Sequence, residues 1–182
     1  MLKPCTKPEL WIILGIPAIF IFGTALHFLF NRLKGFAPAG IFSAVNESVW
    51  EHMKLAVLPT ISWWLFYFVF CGKKYALDIN VWLTSATLSL VVCLLLIPML
   101  FYFYTQAFGT EIVWVDILIF AVSVAVGQLL GLHYFRYGEG VSFIFCTAVL
   151  SLTVILFAVF TFFPPKLPLF EDPTNGTYGI QR

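Results

Sequence analysis

Residues Val141 to Phe163 read VSFIFCTAVLSLTVILFAVFTFF, 23 residues without a charged side chain. A helix of about 20 apolar residues crosses the hydrocarbon core of a bilayer, so this run is long enough to span one. Its apolarity is continuous and does not alternate, which argues for a helix and against a barrel strand. Four further runs of the same kind precede it. Together they predict spans at about 10–30, 55–70, 81–104, 113–132 and 141–163. Pro17, Pro59 and Pro98 fall inside spans, where neighbouring helices tolerate them.

Composition agrees with that count. Of 182 residues, 61% are hydrophobic and 10% charged, and the mean hydropathy is +0.96. Soluble domains carry about 25% charged residues, so an ordinary water-soluble globule is excluded. The formal net charge of +1 removes the basic excess that nucleic-acid binding needs. The first run is too long for a removable signal peptide, and Ile16-Pro17-Ala18 is a poor cleavage context. No internal repeat divides the chain as in inverted-repeat transporters. The expected fold is therefore all-α: one polytopic transmembrane bundle over residues 1–163, followed by an irregular, proline-rich tail over 164–182. The basic residues divide evenly between the two membrane sides. Discounting Lys54 and Arg182 tips the count towards an N-terminus inside and a C-terminus outside. Cys93 and Cys146 fall mid-span as small apolar residues, and Cys5 and Cys71 share a side where they pair only if it is oxidising.

Threaded through five spans, the few polar residues are unevenly shared. His27, Asn31, Asn46, Glu47, Glu51, His52, Lys54, Glu111, Asp116, Glu171 and Asp172 fall on one membrane face. Imidazole and carboxylate groups at a membrane boundary cost free energy unless they are paired, which marks this face as the place to look for a site. The densest stretch is Asn46-Glu47-Ser48-Val49-Trp50-Glu51-His52-Met53-Lys54. On one helix Glu47, Glu51 and Lys54 would form a stripe at i, i+4 and i+7, with His52 flanking it. Ser48 followed by Glu51 fits a capping box. A bland alternative is an interfacial helix start with a Glu51–Lys54 pair and a Trp50 anchor. Thr24, His27 and Asn31 recur along the end of the first span, so that His27 sits inside the boundary and needs a partner or a ligand. Ser123, Gly127 and Gly131 form a small-residue stripe that turns Asp116 inward and offers a face for helix packing or for a homo-oligomer. In the tail, Leu167, Leu169, Phe170 and Tyr178 suggest docking on this face as a lid.

The Asn46–Lys54 stretch, with Pro168-Leu169-Phe170-Glu171-Asp172-Pro173 and Gly176-Thr177-Tyr178-Gly179, resembles an uncharacterised family of small bacterial multi-span membrane proteins. The resemblance covers nearly the whole chain. It implies a bacterial plasma membrane and no particular activity. In architecture alone, five spans and many tryptophans are similar to the tryptophan-rich sensory proteins, whose Trp-Pro motifs are missing here.

Three functions fit these residues. In the first, a membrane-embedded, metal-dependent hydrolase acts on an amphipathic substrate. His27, Glu47, Glu51 and His52 are the candidate ligands, Glu51 and His52 the candidate catalytic groups, and Asn31, Asn46, Lys54 and Asp116 the supporting ones. Mixed carboxylate and imidazole ligation suits zinc, manganese or iron. In the second, the same residues hold a cation or a small polar or lipid ligand in a transport or binding subunit. In the third, they pair only with one another in a structural or assembly protein. The bilayer is the expected partner throughout. The His-Glu-x-x-His helix of intramembrane zinc proteases is missing, because His52 has no second histidine four residues away.

Overall fold

The computed structural model describes residues 7–180. Five helices account for most of the chain: α1 Pro8–Arg32, α2 Val49–Cys71, α3 Ile79–Phe108, α4 Val113–Tyr137 and α5 Phe143–Phe162. Each is long and apolar enough to cross a membrane. Large apolar side chains such as Phe103, Phe108, Trp114 and Phe145 point outward from the bundle, as lipid permits and water would not. The protein is an all-α integral membrane bundle. With 30 residues, α3 measures about 45 Å at 1.5 Å per residue, well beyond a hydrocarbon core of about 30 Å.

Local chemistry sets the helix ends. Ser48 caps α2 and Asp78 caps α3, each accepting backbone N–H bonds through its side-chain oxygen. Gly109, in the left-handed region with φ +67°, closes α3. The Cys5 half of the expected cysteine pair lies outside the described residues.

Small residues bring the helices together. A Cβ on Gly127 of α4 would collide with the Ser89 carbonyl of α3, and one on Gly131 would come within 2.9 Å of the Ser85 carbonyl. Ser123 is fully buried on the same stripe. The stripe offered above as a homo-oligomer face is thus consumed inside one chain, by the close approach of α4 to α3. On α1, a Cβ at Gly23 would stand 2.7 Å from Phe120 of α4 and 2.9 Å from the Leu55 carbonyl of α2. The described core has three parts. An aliphatic layer includes Ile19, Val57, Leu90 and Val124, an aromatic layer includes Trp64, Tyr67 and Trp82, and a smaller cluster joins Leu26, Ala44 and Leu55. At the face where α1 begins and α4 ends, Arg136 and Glu9 form a bidentate pair at 2.9 and 3.0 Å.

At the other face the chain folds back on itself. After α1 it makes a 3₁₀ turn over Ala37–Ile41 before Ser48 starts α2. After α5, a 3₁₀ turn at Pro168–Phe170 leads into a small antiparallel hairpin of β1, Glu171–Asp172, and β2, Thr177–Tyr178. Phe170 is buried against the Trp50 ring, with centroids 4.7 Å apart. This packing sets the hairpin on the start of α2.

Candidate metal centre

Because α2 begins at Val49, Glu47 precedes its N-cap and does not share the helical register of Glu51 and Lys54. The two glutamates therefore part company. Glu47 turns towards α1, where its Oε2 lies 3.4 Å from His27 Nε2 and 3.5 Å from His52 Nε2. The two imidazole Nε2 atoms are 3.2 Å apart. Three elements thus converge on one small triangle: α1, the loop before α2, and the first turn of α2.

The triangle is short of protons. His52 Nδ1 is 2.9 Å from the Ser48 carbonyl, which can only accept, so Nδ1 carries the N–H and the neutral ring presents a bare lone pair at Nε2. One N–H at His27 Nε2 then serves both His52 and Glu47, and the 3.5 Å edge between His52 and Glu47 joins two acceptors. A bound cation, or an added proton, relieves that opposition. The dimensions favour the metal. Ligand atoms about 2.0–2.1 Å from a tetrahedral zinc are about 3.3–3.4 Å from one another. Edges of 3.2, 3.4 and 3.5 Å bracket that value, and two of them exceed the ordinary hydrogen-bond range of about 2.7–3.2 Å. His52 also has the carbonyl support on its second nitrogen that metal-ligating histidines use. His27 Nδ1 is buried without a partner, so His52 is the better oriented imidazole of the two.

The tail fixes Glu47 in place. The Glu47 N–H donates to Asp172 Oδ2 at 3.3 Å, and the Asn46 side-chain amide donates to the Gly179 carbonyl at 3.1 Å. Asp172 is 3% exposed. Its carboxylate also accepts from the Thr174 N–H and hydroxyl at 2.9 and 2.6 Å and from Asn175 at 3.2 Å. Burial works to raise the Asp172 carboxyl, but these hydrogen bonds outweigh it and hold it below its ordinary value. The His27 imidazole beside it likewise keeps Glu47 low despite partial burial.

The histidines open onto a cavity of about 540 Å³ between α1, α2, α3 and α4. Phe20, Leu55, Ile97, Phe101, Ile119 and Phe120 give it an apolar body, while Glu111, Asp116 and Thr174 join the triad at its polar end. Asp116 Oδ1 accepts from the Tyr104 hydroxyl at 2.6 Å, and that hydroxyl accepts from the Ile112 N–H at 3.1 Å. Burial raises the Glu111 carboxyl, and the neighbouring Asp116 and Asp172 carboxylates add to the effect.

Glu51 and Lys54 face elsewhere. Both are 2% exposed and directly ion-paired. Glu51 accepts from the Val45 N–H at 3.1 Å and the Thr161 hydroxyl at 3.2 Å. Lys54 donates to the Gly40 carbonyl at 2.5 Å and to Thr161 at 2.9 Å. Neither lines the cavity. Ser48 gives only half of a capping box, accepting from the Glu51 N–H at 3.3 Å while the Glu51 carboxylate goes to Val45 and Lys54. The expected set of four ligands therefore divides: His27, Glu47 and His52 meet, and Glu51 does not join them. Among the supporting residues, Asp116 lines the cavity, Asn46 ties down the tail, Lys54 neutralises Glu51, and Asn31 is exposed in the last turn of α1. The sequence places Glu111 on this face without giving it a role, whereas nothing local marks Tyr104.

Five apolar spans and one His/Glu group at a membrane face define a class, the polytopic helical membrane protein with an interfacial polar centre. Residues 1–180 match the family described as a family of unknown function (DUF6512), and the chain belongs to that family. No curated protein and no solved structure matches the chain.

Proposed function

We propose that this protein is a membrane-embedded, metal-dependent hydrolase acting on an amphipathic substrate at the bilayer boundary. The observation that carries this reading is the triangle of His27, Glu47 and His52, with edges near those of a tetrahedral ligand face, set at the polar end of an apolar cavity. Three protein ligands leave a coordination position open, the arrangement of catalytic rather than structural zinc sites. A divalent ion there would supply Lewis-acid activation of water and of a substrate carbonyl.

The chain's own groups take the remaining parts. His52, steered by the Ser48 carbonyl, and His27 orient lone pairs at one point. The backbone of Glu47 is pinned through Asp172 so that its carboxylate completes the set. Glu111, which lines the same polar end and is raised by burial and by its acidic neighbours, is the candidate general base. Asp116, fixed by Tyr104, shapes the polar end. The apolar walls exclude bulk water and receive the hydrocarbon part of the substrate.

The test is metal analysis of the purified protein, followed by turnover of a medium-chain ester. About one equivalent of zinc, manganese or iron is expected in the wild type. Loss of both metal and turnover is expected in His27→Ala and Glu47→Gln. A wild type that takes up no metal under supplementation with each ion refutes the reading.

A further inference from the structure

The polar end of the cavity carries an excess of acidic groups. Glu47, Glu111 and Asp116 line it beside His27 and His52, and Asp172 stands behind Glu47, yet among the described residues no Lys or Arg lines it. The nearest buried cation, Lys54, is committed to Glu51. Three of the apolar lining residues on the helices are also outward-facing: Phe28 on α1 is 56% exposed, and Val113 and Ile117 on α4 are 71% and 41% exposed. The cavity therefore has its rim between α1 and α4, on the surface that lipid covers, so an apolar chain can enter sideways from the bilayer. A volume of about 540 Å³ falls in the roughly 300–1,000 Å³ range of small-ligand pockets, room for one mid-length chain and a compact head.

We propose that the occupant of this cavity is a single-chain amphiphile whose head group is neutral or cationic, and that the acidic lining rejects anionic heads such as phosphate monoesters. This goes beyond the hydrolase reading, rests on the same cavity, and concerns that cavity without a metal. The selectivity itself comes from Glu111 and Asp116 and does not need the metal. Like charges brought together repel, and building such repulsion in is a common way to discriminate between ligands of equal apolar area.

The experiment uses metal-free full-length protein in nanodiscs of uncharged lipid, with a tritium-labelled dodecanol probe in the cavity. Dodecylamine, monododecanoylglycerol and dodecyl phosphate compete for the probe at low salt. The first two are expected to displace it at concentrations at least about tenfold below that of dodecyl phosphate. The combined Glu111→Gln and Asp116→Asn substitutions are expected to narrow that gap to less than about threefold. Thr24→Trp, which fills the cavity from α1, is expected to weaken all three ligands alike. Equal or tighter displacement by dodecyl phosphate overturns the proposal, as does a gap unchanged in the double variant or binding unaffected by Thr24→Trp. Metal content is measured on separate samples. Selectivity without metal uptake would leave this proposal standing while the hydrolase reading fails, and metal uptake without selectivity would do the reverse.

Discussion

Two polar assemblies stand one helical turn apart at the start of α2, and they are built on opposite terms. Glu51, Lys54 and Thr161 form a closed network: both charges are 2% exposed and the bonds reach the Gly40 carbonyl and the Val45 N–H. His27, Glu47 and His52 form an open one. There Glu47 is 47% exposed, two of the three edges are long for hydrogen bonds, and one imidazole nitrogen is buried without a partner. A buried network that satisfies all its members fastens elements together, here the Ala37–Ile41 turn to α2 and α5. A converging set of lone pairs that is left short of protons is suited to hold something else. Neighbouring residues of one motif thus divide into a fastener and a receptor, and for the two glutamates the dividing line is the N-cap at Ser48.

Substitutions can break this contrast from either side. The largest effect is expected from Lys54→Met, which leaves the Glu51 carboxylate buried and unpaired. The loss is about 3–5 kcal/mol in unfolding free energy, read as a drop in thermal midpoint in detergent, and a Glu51→Leu/Lys54→Met double variant should recover most of it. Next comes His52→Ala, for which bound metal should fall to background. The thermal midpoint of metal-free protein should barely move, because a partly exposed side chain outside the core costs about 0.5 kcal/mol or less. If Glu51→Gln also empties the site of metal, the division between the two assemblies is wrong. Asp172→Ala removes the acceptor that fixes Glu47 and should weaken metal affinity about 10–100-fold, the usual cost of losing a supporting shell, as measured by competition with a chelator of known affinity. The smallest effect is expected from Tyr104→Phe. It leaves Asp116 in place without its donor, at a cost of about 1 kcal/mol in stability and no change in metal stoichiometry.

The fold was legible because a bilayer asks little of sequence beyond length and apolarity, and the five uncharged runs supply both. The helix ends were less so. Polar residues at an interface neither forbid nor require a helix, so α2 takes in Trp50, Glu51, His52 and Lys54 ahead of its apolar run, and α4 runs on to Tyr137. The site was legible as a region and not as a ligand set. Helical spacing placed Glu47 and Glu51 on one stripe, but that arithmetic fails at a helix start: Ser48 takes the cap and Glu47 is left in the loop, free to turn the other way. The Ser123–Gly131 stripe showed the same ambiguity. Small residues announce close packing, but only the fold reveals that the surface met is α3 of the same chain.

The hairpin at Glu171–Tyr178 has a consequence in time. Its Asp172 and the nearby Gly179 carbonyl hold the loop that carries Glu47, yet they leave the ribosome only after all five helices have been made. A chain stalled after α5 would have every span and both histidines while the Glu47 loop still lacked its anchor. Assembly of the centre is thereby deferred until the segment after α5 has been made, so a chain halted at α5 would not yet present a finished site to metal or to lipid.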